Sequence, residues 1–595
     1  MTVSNLSHVC DVSHSISGKS WIWRGGICEI DPNSNHVDNS LVRQLLLTRG
    51  VVETDLADNM SPTIRDFLPD PSIFKDMDVA VERIIRAIKR NEEITVYGDY
   101  DVDGATSAAL LVNLLQGLKV RAKYYIPDRL LEGYGPTGDA LIELGQNGSS
   151  LIITVDCGAM AFDALKQAKE HGIDVIVVDH HKCSTELPLA TAIINPNRLD
   201  EGELPASFGN LAAVGVAFLL AVALIRALRD QNYFEPGNEP NLMALLDLVA
   251  LGTVADVASL HGLNRAFVKQ GLKVMAKRER VGMSALIDAS ALKRAPQCSD
   301  LGFALGPRIN AGGRVGESTL GVRLLTTNDP EEAQNIASQL STLNSERREI
   351  EAEVQAAAEE QIKRQSNRAL LVLSGQSWHP GVIGIVAGRI KEKTGKPSIV
   401  ISIDRSKGIG KGSGRSIAGI DIGAAIIQAK ENELLLAGGG HPMAAGLTIE
   451  SQKIDEFSDF LEEKLAGQVA KTKVQQSMKL DLSILPRGLT PELAEILEQA
   501  GPFGMGWPAP RVALGPVRII KADIVGADHV RVIAAGDDGQ SIKAIAFRAS
   551  DTEIGQTLLH RSKNRKFFLA GRVKIDDWSA KPKAELHLED AAFAD

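Results

Sequence analysis

Three aspartates crowd into five positions of the stretch VYGDYDVDGATSAALLVNLL, residues 96–115: Asp99, Asp101 and Asp103. Like charges at this spacing repel, and a buried carboxylate without a partner is costly. Further acids and imidazoles recur in similar settings: Asp156 in TVDCG, Asp179, His180 and His181 in VDHH, and Asp256 in ALGTVADVASL. Taken singly, each has a plain structural explanation. An aspartate after a strand is usually a turn or helix-capping residue, and a His-His pair is more often surface or satisfied core than a ligand. Their joint occurrence is harder to dismiss. Carboxylate oxygen with imidazole nitrogen, and no thiolate pattern, suits Mn2+ or Mg2+ better than a structural zinc; Cys183 lies near the histidines as a single cysteine. Divalent cations would hold the aspartates together. That many carboxylates can serve two metal ions about 4 Å apart, clamping the attacking and leaving oxygens of a phosphoryl transfer.

The elements that must position these residues alternate regularly. EITVYGD reads as a strand, GATSAALLVNLLQGL as a helix and VRAKYYIPD as a strand; SLIITVDCG, AFDALKQAKEHG and IDVIVVDHH repeat the pattern. Short apolar runs alternating with helical segments imply an α/β fold on a parallel sheet. In such a sheet functional groups gather at the carboxyl ends of the strands, which is where Asp99–Asp103, Asp156 and Asp179–His181 fall, with Asp256 placed to close over that rim. Residues 210–295 are rich in Leu and Ala with helical spacing. The breaker-poor run from Asp329 predicts one or two long connecting helices, and a second α/β region runs from ALLVLSG to about residue 468. Beyond about residue 475, short strands with turn punctuation predict a small all-β domain, sandwich or barrel. The predicted divisions are an N-terminal extension (1–75), a first α/β domain (76–328), connecting helices (329–367), a second α/β domain (368–470) and a terminal β domain (471–595).

The net charge of −10 over 595 residues gives no global basic field, so a nucleic-acid partner would need Lys and Arg gathered locally. Five scattered cysteines without a C-x-x-C motif argue against a disulfide framework and fit a reducing compartment. The N-terminus has no apolar signal-like core. The longest apolar run, 15 residues from Leu211, is too short to span a bilayer and reads as a buried helix. A cytoplasmic protein is expected.

GDYDVDG, VDCG, VDHH and GTVADV, in that order, resemble the DHH phosphoesterase superfamily. IPDRLLEGYG, GPRINAGGR, WHPGVIGIVAGRI, GSGRS and GGGHPMAAG sharpen the match to its RecJ family of bacterial single-strand-specific exonucleases. Gly312 and Ser259 stand where that family usually has Ala and Pro; neither is a proposed ligand. The resemblance covers roughly residues 75–595 and implies DHH and DHHA1 lobes with a terminal OB-fold-like domain. It implies a 5′→3′ exonuclease of single-stranded DNA, acting in repair and recombination. Asp99, Asp101, Asp103, Asp156, His180 and Asp256 would hold two Mn2+ or Mg2+ ions, with His181 as a ligand or as a group orienting a substrate phosphate. Arg129, Arg314, Ser413 and Arg415 would hold the 5′ end, and Arg308, Asn310 and His441 would join the substrate surface. The resemblance also implies single-strand-binding protein and a RecQ-type helicase as partners, and a monomer. Trp507 reads equally as a stacking platform or as junction packing, while Lys543, Arg548, Arg561, Lys563, Arg565 and Lys566 offer local positive charge to a strand. A second reading, another DHH enzyme acting on short oligoribonucleotides or cyclic dinucleotides, is disfavoured by the terminal β domain.

Overall fold

The structure, a computed structural model, describes residues 8–25, 37–129, 132–365, 367–472, 477–561, 565–576 and 582–594. Its first lobe is built on a wholly parallel sheet of β1 (Glu93–Gly98), β2 (Ala122–Tyr125), β3 (Ser149–Val155), β4 (Asp174–Val178) and β5 (Ala192–Ile194). The spatial order is β2-β1-β3-β4-β5. The apolar runs are buried on both faces because alternate residues serve two cores: Val96, Ile153 and Ile176 pack into one, Tyr97, Ile152 and Val175 into the other. The chain passes from β1 to β2 and then back beyond β1 to β3, so the strand order reverses between β1 and β3. The crevice outside the carboxyl ends of such a pair is the natural ligand position of an open α/β sheet.

Four helices frame that crevice: α1 (Val102–Gly117), α2 (Ala213–Asp230), α3 (Leu246–Ala255) and α4 (Gly306–Val315). Helix α2 is the long apolar run of the sequence, and it is buried in the lobe core through Val214, Phe218 and Leu224. Among the described residues no helix is long and apolar enough to cross a membrane. Helix α5 (Pro330–Ile362) follows as one continuous 33-residue rod, about 50 Å long at 1.5 Å per residue. Asp329 caps it through the Glu331 N–H, Pro330 occupies its first turn, and Glu331 and Glu332 complement its positive end.

The second lobe carries β6 (Leu371–Gln376), β7 (Ser398–Asp404), β8 (Ile409–Arg415), β9 (Ala437–His441) and β10 (Ala444–Glu450) in the order β9-β10-β8-β7-β6, with only β6 and β7 parallel. Helix α6 (Ile383–Thr394) packs against β6 and β7 through Val386 and Ile390. The terminal domain is a barrel rather than a sandwich. Strands β11 (Val512–Val525), β12 (His529–Gly536), β13 (Ser541–Ala546), β14 (Lys566–Asp576) and β15 (Lys583–Phe593) run β11-β12-β13-β15-β14, and β11 pairs with β14 to close it. This is the five-stranded connectivity of an OB-fold.

The N-terminal segment belongs spatially to this barrel. Ser20–Trp23 pairs in parallel with Ser477–Leu480, and the buried Trp21 indole donates to Asp590 (3.0 Å). Leu41, Val42, Leu45 and Leu46 share a core with Val512, Leu514 and Phe567. Trp507 is buried at the junction of barrel and first lobe, its indole donating to the Ala500 carbonyl (2.8 Å), with the Arg265 guanidinium 4.7 Å and that of Arg49 5.2 Å from the ring. It is junction packing, with no face left for a base.

Trp21→Phe removes the donor from a buried carboxylate, a loss worth about 1–3 kcal/mol. The barrel's transition in scanning calorimetry is expected to move to lower temperature. An unchanged transition would mean the N-terminal strand does not stabilise the barrel.

Candidate active site

The turn after β1 places its three aspartates by backbone hydrogen bonding. Asp101 caps α1, its Oδ1 accepting from the N–H groups of Asp103 (2.9 Å) and Gly104 (3.1 Å). Position 104 tolerates only glycine, since a Cβ there would lie 2.3 Å from the Asp99 carbonyl oxygen. Asp103 is buried against the positive end of α2, accepting from the N–H groups of Ala213 (2.6 Å) and Val214 (3.0 Å). Asp156 leaves β3 in a left-handed conformation, φ +61°, with its Oδ1 3.2 Å from His180 Nε2. Nδ1 of His180 lies 3.0 Å from the Leu211 carbonyl. A proton on Nδ1 satisfies that contact and turns the Nε2 lone pair toward the acids. Asp256 ends α3, its Oδ2 3.9 Å from His180 Nδ1.

Donor atoms meet within 4.8 Å in three groups: Asp99, Asp101 and Asp156; Asp103, His180 and Asp256; and Asp156, His180 and His181. Burial first, and repulsion between the acids second, raises four of the carboxyls: Asp99 to about 8, Asp256 to about 7, Asp103 and Asp156 well above the usual range. Asp99 Oδ1 and His180 Nε2 are buried and have no hydrogen-bond partner. Buried polar atoms are rarely left orphaned in this way; divalent cations fit the donor set and account for both.

Asp179, which lies outside the ligand set expected from the sequence, orients the histidines. It accepts from the N–H groups of Ala159 (3.0 Å), His180 (2.7 Å) and His181 (3.1 Å), and its Oδ1 lies 2.7 Å from His181 Nδ1. Burial would raise its pKa, but the hydrogen bond and charge of His181 outweigh that and hold it near 2. Burial acts against the imidazolium of His181 too, and the Asp179 contacts still lift it to about 9. The Tyr134 hydroxyl, 3.3 Å from His181 Nδ1 and from the Asp156 carbonyl, is a second group that no sequence pattern singles out.

Beside the acids a cleft of about 680 Å³ opens between the lobes, lined by Arg129 and Arg314 from one and by Ser413, Arg415 and the start of α6 from the other. The Arg129 guanidinium lies 5.0 Å from the ring of Tyr100, between two of the aspartates. Arg314 donates to the Gly381 carbonyl (3.0 Å), and Arg415 to Ser413 Oγ (3.1 Å) and the Gly414 carbonyl (2.8 Å). Burial, then the nearby Arg129 charge, lowers both, Arg314 to about 10. Gly384 at the start of α6 lets Ser413 Oγ and Arg415 Nη2 approach, since a Cβ there would stand 3.0 and 3.2 Å from them. The start of a helix beside three guanidinium-bearing residues has the chemistry to take up an anion.

Known proteins share this architecture. The DHH family, N-terminal domain, matches residues 93–253, the DHHA1 domain 367–467 and the RecJ OB domain 480–590. The single-stranded-DNA-specific exonuclease RecJ of Dickeya dadantii is 37% identical over 92% of this chain and 95% of its own length. The chain belongs to the RecJ family. Two crystal structures of RecJ from Thermus thermophilus are similar across 93% of this chain: one in complex with Mn2+ (76% of that chain, 28% identity, TM-score 0.75), one with Mg2+ (74%, 27%, TM-score 0.68).

Not every residue expected from the RecJ resemblance reaches the cleft. Arg308 is spent on structure, donating to Ser341 Oγ (2.9 Å) and the carbonyls of Ala304 (2.7 Å) and Ala289 (3.4 Å), which fasten α4 to α5. Asn310 is half-buried on α4, one turn before Arg314 and outside the cleft lining. His441 is exposed at the end of β9; pairing through Ala444 puts it two strands from Arg415, about 10 Å away at 4.8 Å per strand. On the barrel, Lys543 is paired with Asp576 and Glu585, Lys566 with Asp537, and Arg565 lies over the Phe593 ring. The two lysine charges are thereby neutralised at home. Arg548 and Arg561 have no ion pair among the described residues, and Lys563 lies outside them.

With a chelator present, stability is expected to fall as pH rises from about 5 to about 8. Asp99, Asp103, Asp156 and Asp256 have raised pKa values in the fold against 3.8 in the unfolded chain. The folded state therefore holds extra protons in that window, and their contribution is lost as pH passes the folded values. His180, lowered by burial, acts oppositely but is one group against four. Melting temperature against pH checks this; a rising profile would show the acids ionised in the metal-free fold.

Proposed function

We propose that this chain hydrolyses single-stranded DNA from the 5′ end by a two-metal-ion mechanism, with residues 76–328 as catalytic lobe, 368–470 as end-holding lobe and the barrel as strand guide. Asp99, Asp101, Asp103, Asp156, His180 and Asp256 hold the ions. The RecJ structures in complex with Mn2+ and Mg2+ support this choice of metals. When bound, the ions supply Lewis acidity, polarising the phosphoryl oxygens and making water a nucleophile near neutral pH.

The chain's own residues do the rest. The observation that carries the reading is the continuity of the arginine cleft with the acids through the Asp99–Tyr100–Asp101 turn. Arg129, Arg314 and Arg415 bind and orient phosphate, and a terminal phosphate, with more charge than an internal one, gains most from three guanidiniums. His181, kept cationic by Asp179 up to about pH 9, faces the developing charge on the reacting phosphate, with Tyr134 fixing its ring. Arg548 and Arg561 are, of the six barrel residues expected from the sequence to carry positive charge to a strand, the two described ones without an ion-pair partner. A cytoplasmic monomer serving repair and recombination, partnered by single-strand-binding protein and a RecQ-type helicase, completes the reading.

His180→Ala is expected to abolish cleavage with Mn2+ or Mg2+ while circular dichroism stays unchanged; a folded variant keeping more than about a tenth of turnover would sink the metal assignment. Arg415→Ala is expected to weaken a 5′-phosphorylated strand by roughly ten- to a hundredfold, the loss of a charge-assisted contact of about 1.5–3 kcal/mol. The effect on a 5′-hydroxyl strand is expected to be smaller. Equal losses in steady-state kinetics would mean Arg415 holds an internal phosphate.

A further inference from the structure

A single buried amide ties the loop that follows Asp256 to the loop whose backbone holds Asp103 and His180. Asn264 has no exposed surface. Its Nδ2 donates to the carbonyl of Asn210 (2.7 Å) and to that of Ser259 (3.0 Å). Two carbonyl acceptors on the same side fix which end of the amide is nitrogen. Asn210 directly precedes Leu211, whose carbonyl meets His180 Nδ1, and the N–H groups of Ala213 and Val214 that hold Asp103 follow at once. Ser259 stands three residues after Asp256. Asp103, His180 and Asp256 are the group whose donor atoms meet within 4.8 Å. No hydrogen bond joins Asn264 to any of the three, so it acts through their loops.

Two further observations show that the tether is needed. The chain leaves α3 through Val257 at φ +60°, a left-handed conformation that β-branched residues avoid. A loop strained in this way keeps its shape only when its surroundings hold it, and the Ser259 carbonyl is held by Asn264 and by the Asn210 side chain (3.4 Å). The other end of the Asn264 amide, Oδ1, is buried without a partner. A position filled for volume alone would favour leucine, which carries no orphaned acceptor. The two donors explain the asparagine.

We propose that Asn264 is a positioning residue of the metal site: its amide sets the spacing between Asp256 and the Asp103–His180 pair, and thereby the affinity for one of the two divalent ions. This rests on the metal reading above.

The test is calorimetric titration of the full chain, Asn264→Leu and Asn264→Asp with Mn2+. Anisotropy of a 5′-phosphorylated single strand with the metal chelated, and melting curves, run alongside. The wild type is expected to bind two ions. In both variants one ion should bind about 10- to 100-fold more weakly, the usual scale for residues that support ligands. Strand affinity should stay at the wild-type value, melting temperature should fall by only a few degrees for the lost amide hydrogen bonds, and cleavage should recover at high Mn2+. A wild type that takes up no Mn2+ overturns the metal reading and this inference with it. A wild type that binds two ions beside variants that bind them equally well overturns the role of Asn264 alone. Variants that do not fold, or whose strand and Mn2+ affinities fall together, overturn it as well, since the amide then braces the lobe rather than the site.

Discussion

Mutual repulsion among buried carboxylates at the β1/β3 switch point is the constraint around which the first lobe is arranged. Four acids with raised pKa values share one crevice, and an arrangement of this kind falls apart unless each carboxylate is held separately. The fold fixes the turns that carry the acids with backbone: Asp101 accepts from the start of α1, Asp103 from the start of α2, and Asp156 sits in a left-handed turn whose own N–H donates to the Val178 carbonyl (3.1 Å). The histidines are aimed by one side chain and one backbone group, His181 by Asp179 and His180 by the Leu211 carbonyl. Backbone dipoles cannot drift to a better partner as a lysine could. The acids are thereby left for cations, with no lysine or arginine paired to them among the described residues.

Much of this was legible in the sequence because it is local. The alternation of apolar runs and helical spans in residues 93–194 specifies a parallel sheet, and strand ends put the chemistry on one rim. The barrel could be anticipated as β-rich, but closure of β11 on β14 joins residues about 50 to 60 positions apart and leaves no local pattern. What escaped was set by distant pairing. Asp179 falls on the rim with the histidines but shows no role in the sequence, because its four donors include a side chain it meets only when the turn is built. Arg308 looked like Arg314, six residues away on the same helix; only the packing of α5 decides that one is spent on carbonyls and the other reaches the cleft. The N-terminal segment carried no sign that Trp21 would seek Asp590.

The second lobe depends on α5 in a similar way. Glu351, buried in the middle of that rod, pairs with Arg347 on its own helix and with Arg389 on α6. A charge pair that deep is exacting about geometry, so it orients α6, and α6 in turn presents its N-terminus and Gly384 to the cleft. A rod carrying a buried carboxylate thus sets the distance between the arginines of one lobe and those of the other.

The acids and the arginines face a common hazard: they are neighbours of opposite charge, and a salt bridge between them would silence both. Among the described residues none forms. Arg129 is drawn to the face of Tyr100, Arg314 to the Gly381 carbonyl and Arg415 to the Gly414 carbonyl, while the carboxylates are drawn to N–H groups. Each set therefore stays without a counter-charge: burial first, and the neighbouring like charges second, lower the pKa values of the arginines and raise that of Asp156. Two unbalanced clusters, kept apart by one tyrosine-bearing turn, are relieved together only when cations meet the acids and an anion meets the arginines. A metal-bearing site beside a phosphate cleft satisfies both conditions at once, and a phosphodiester strand with its divalent ions is the ligand that brings both charges in register.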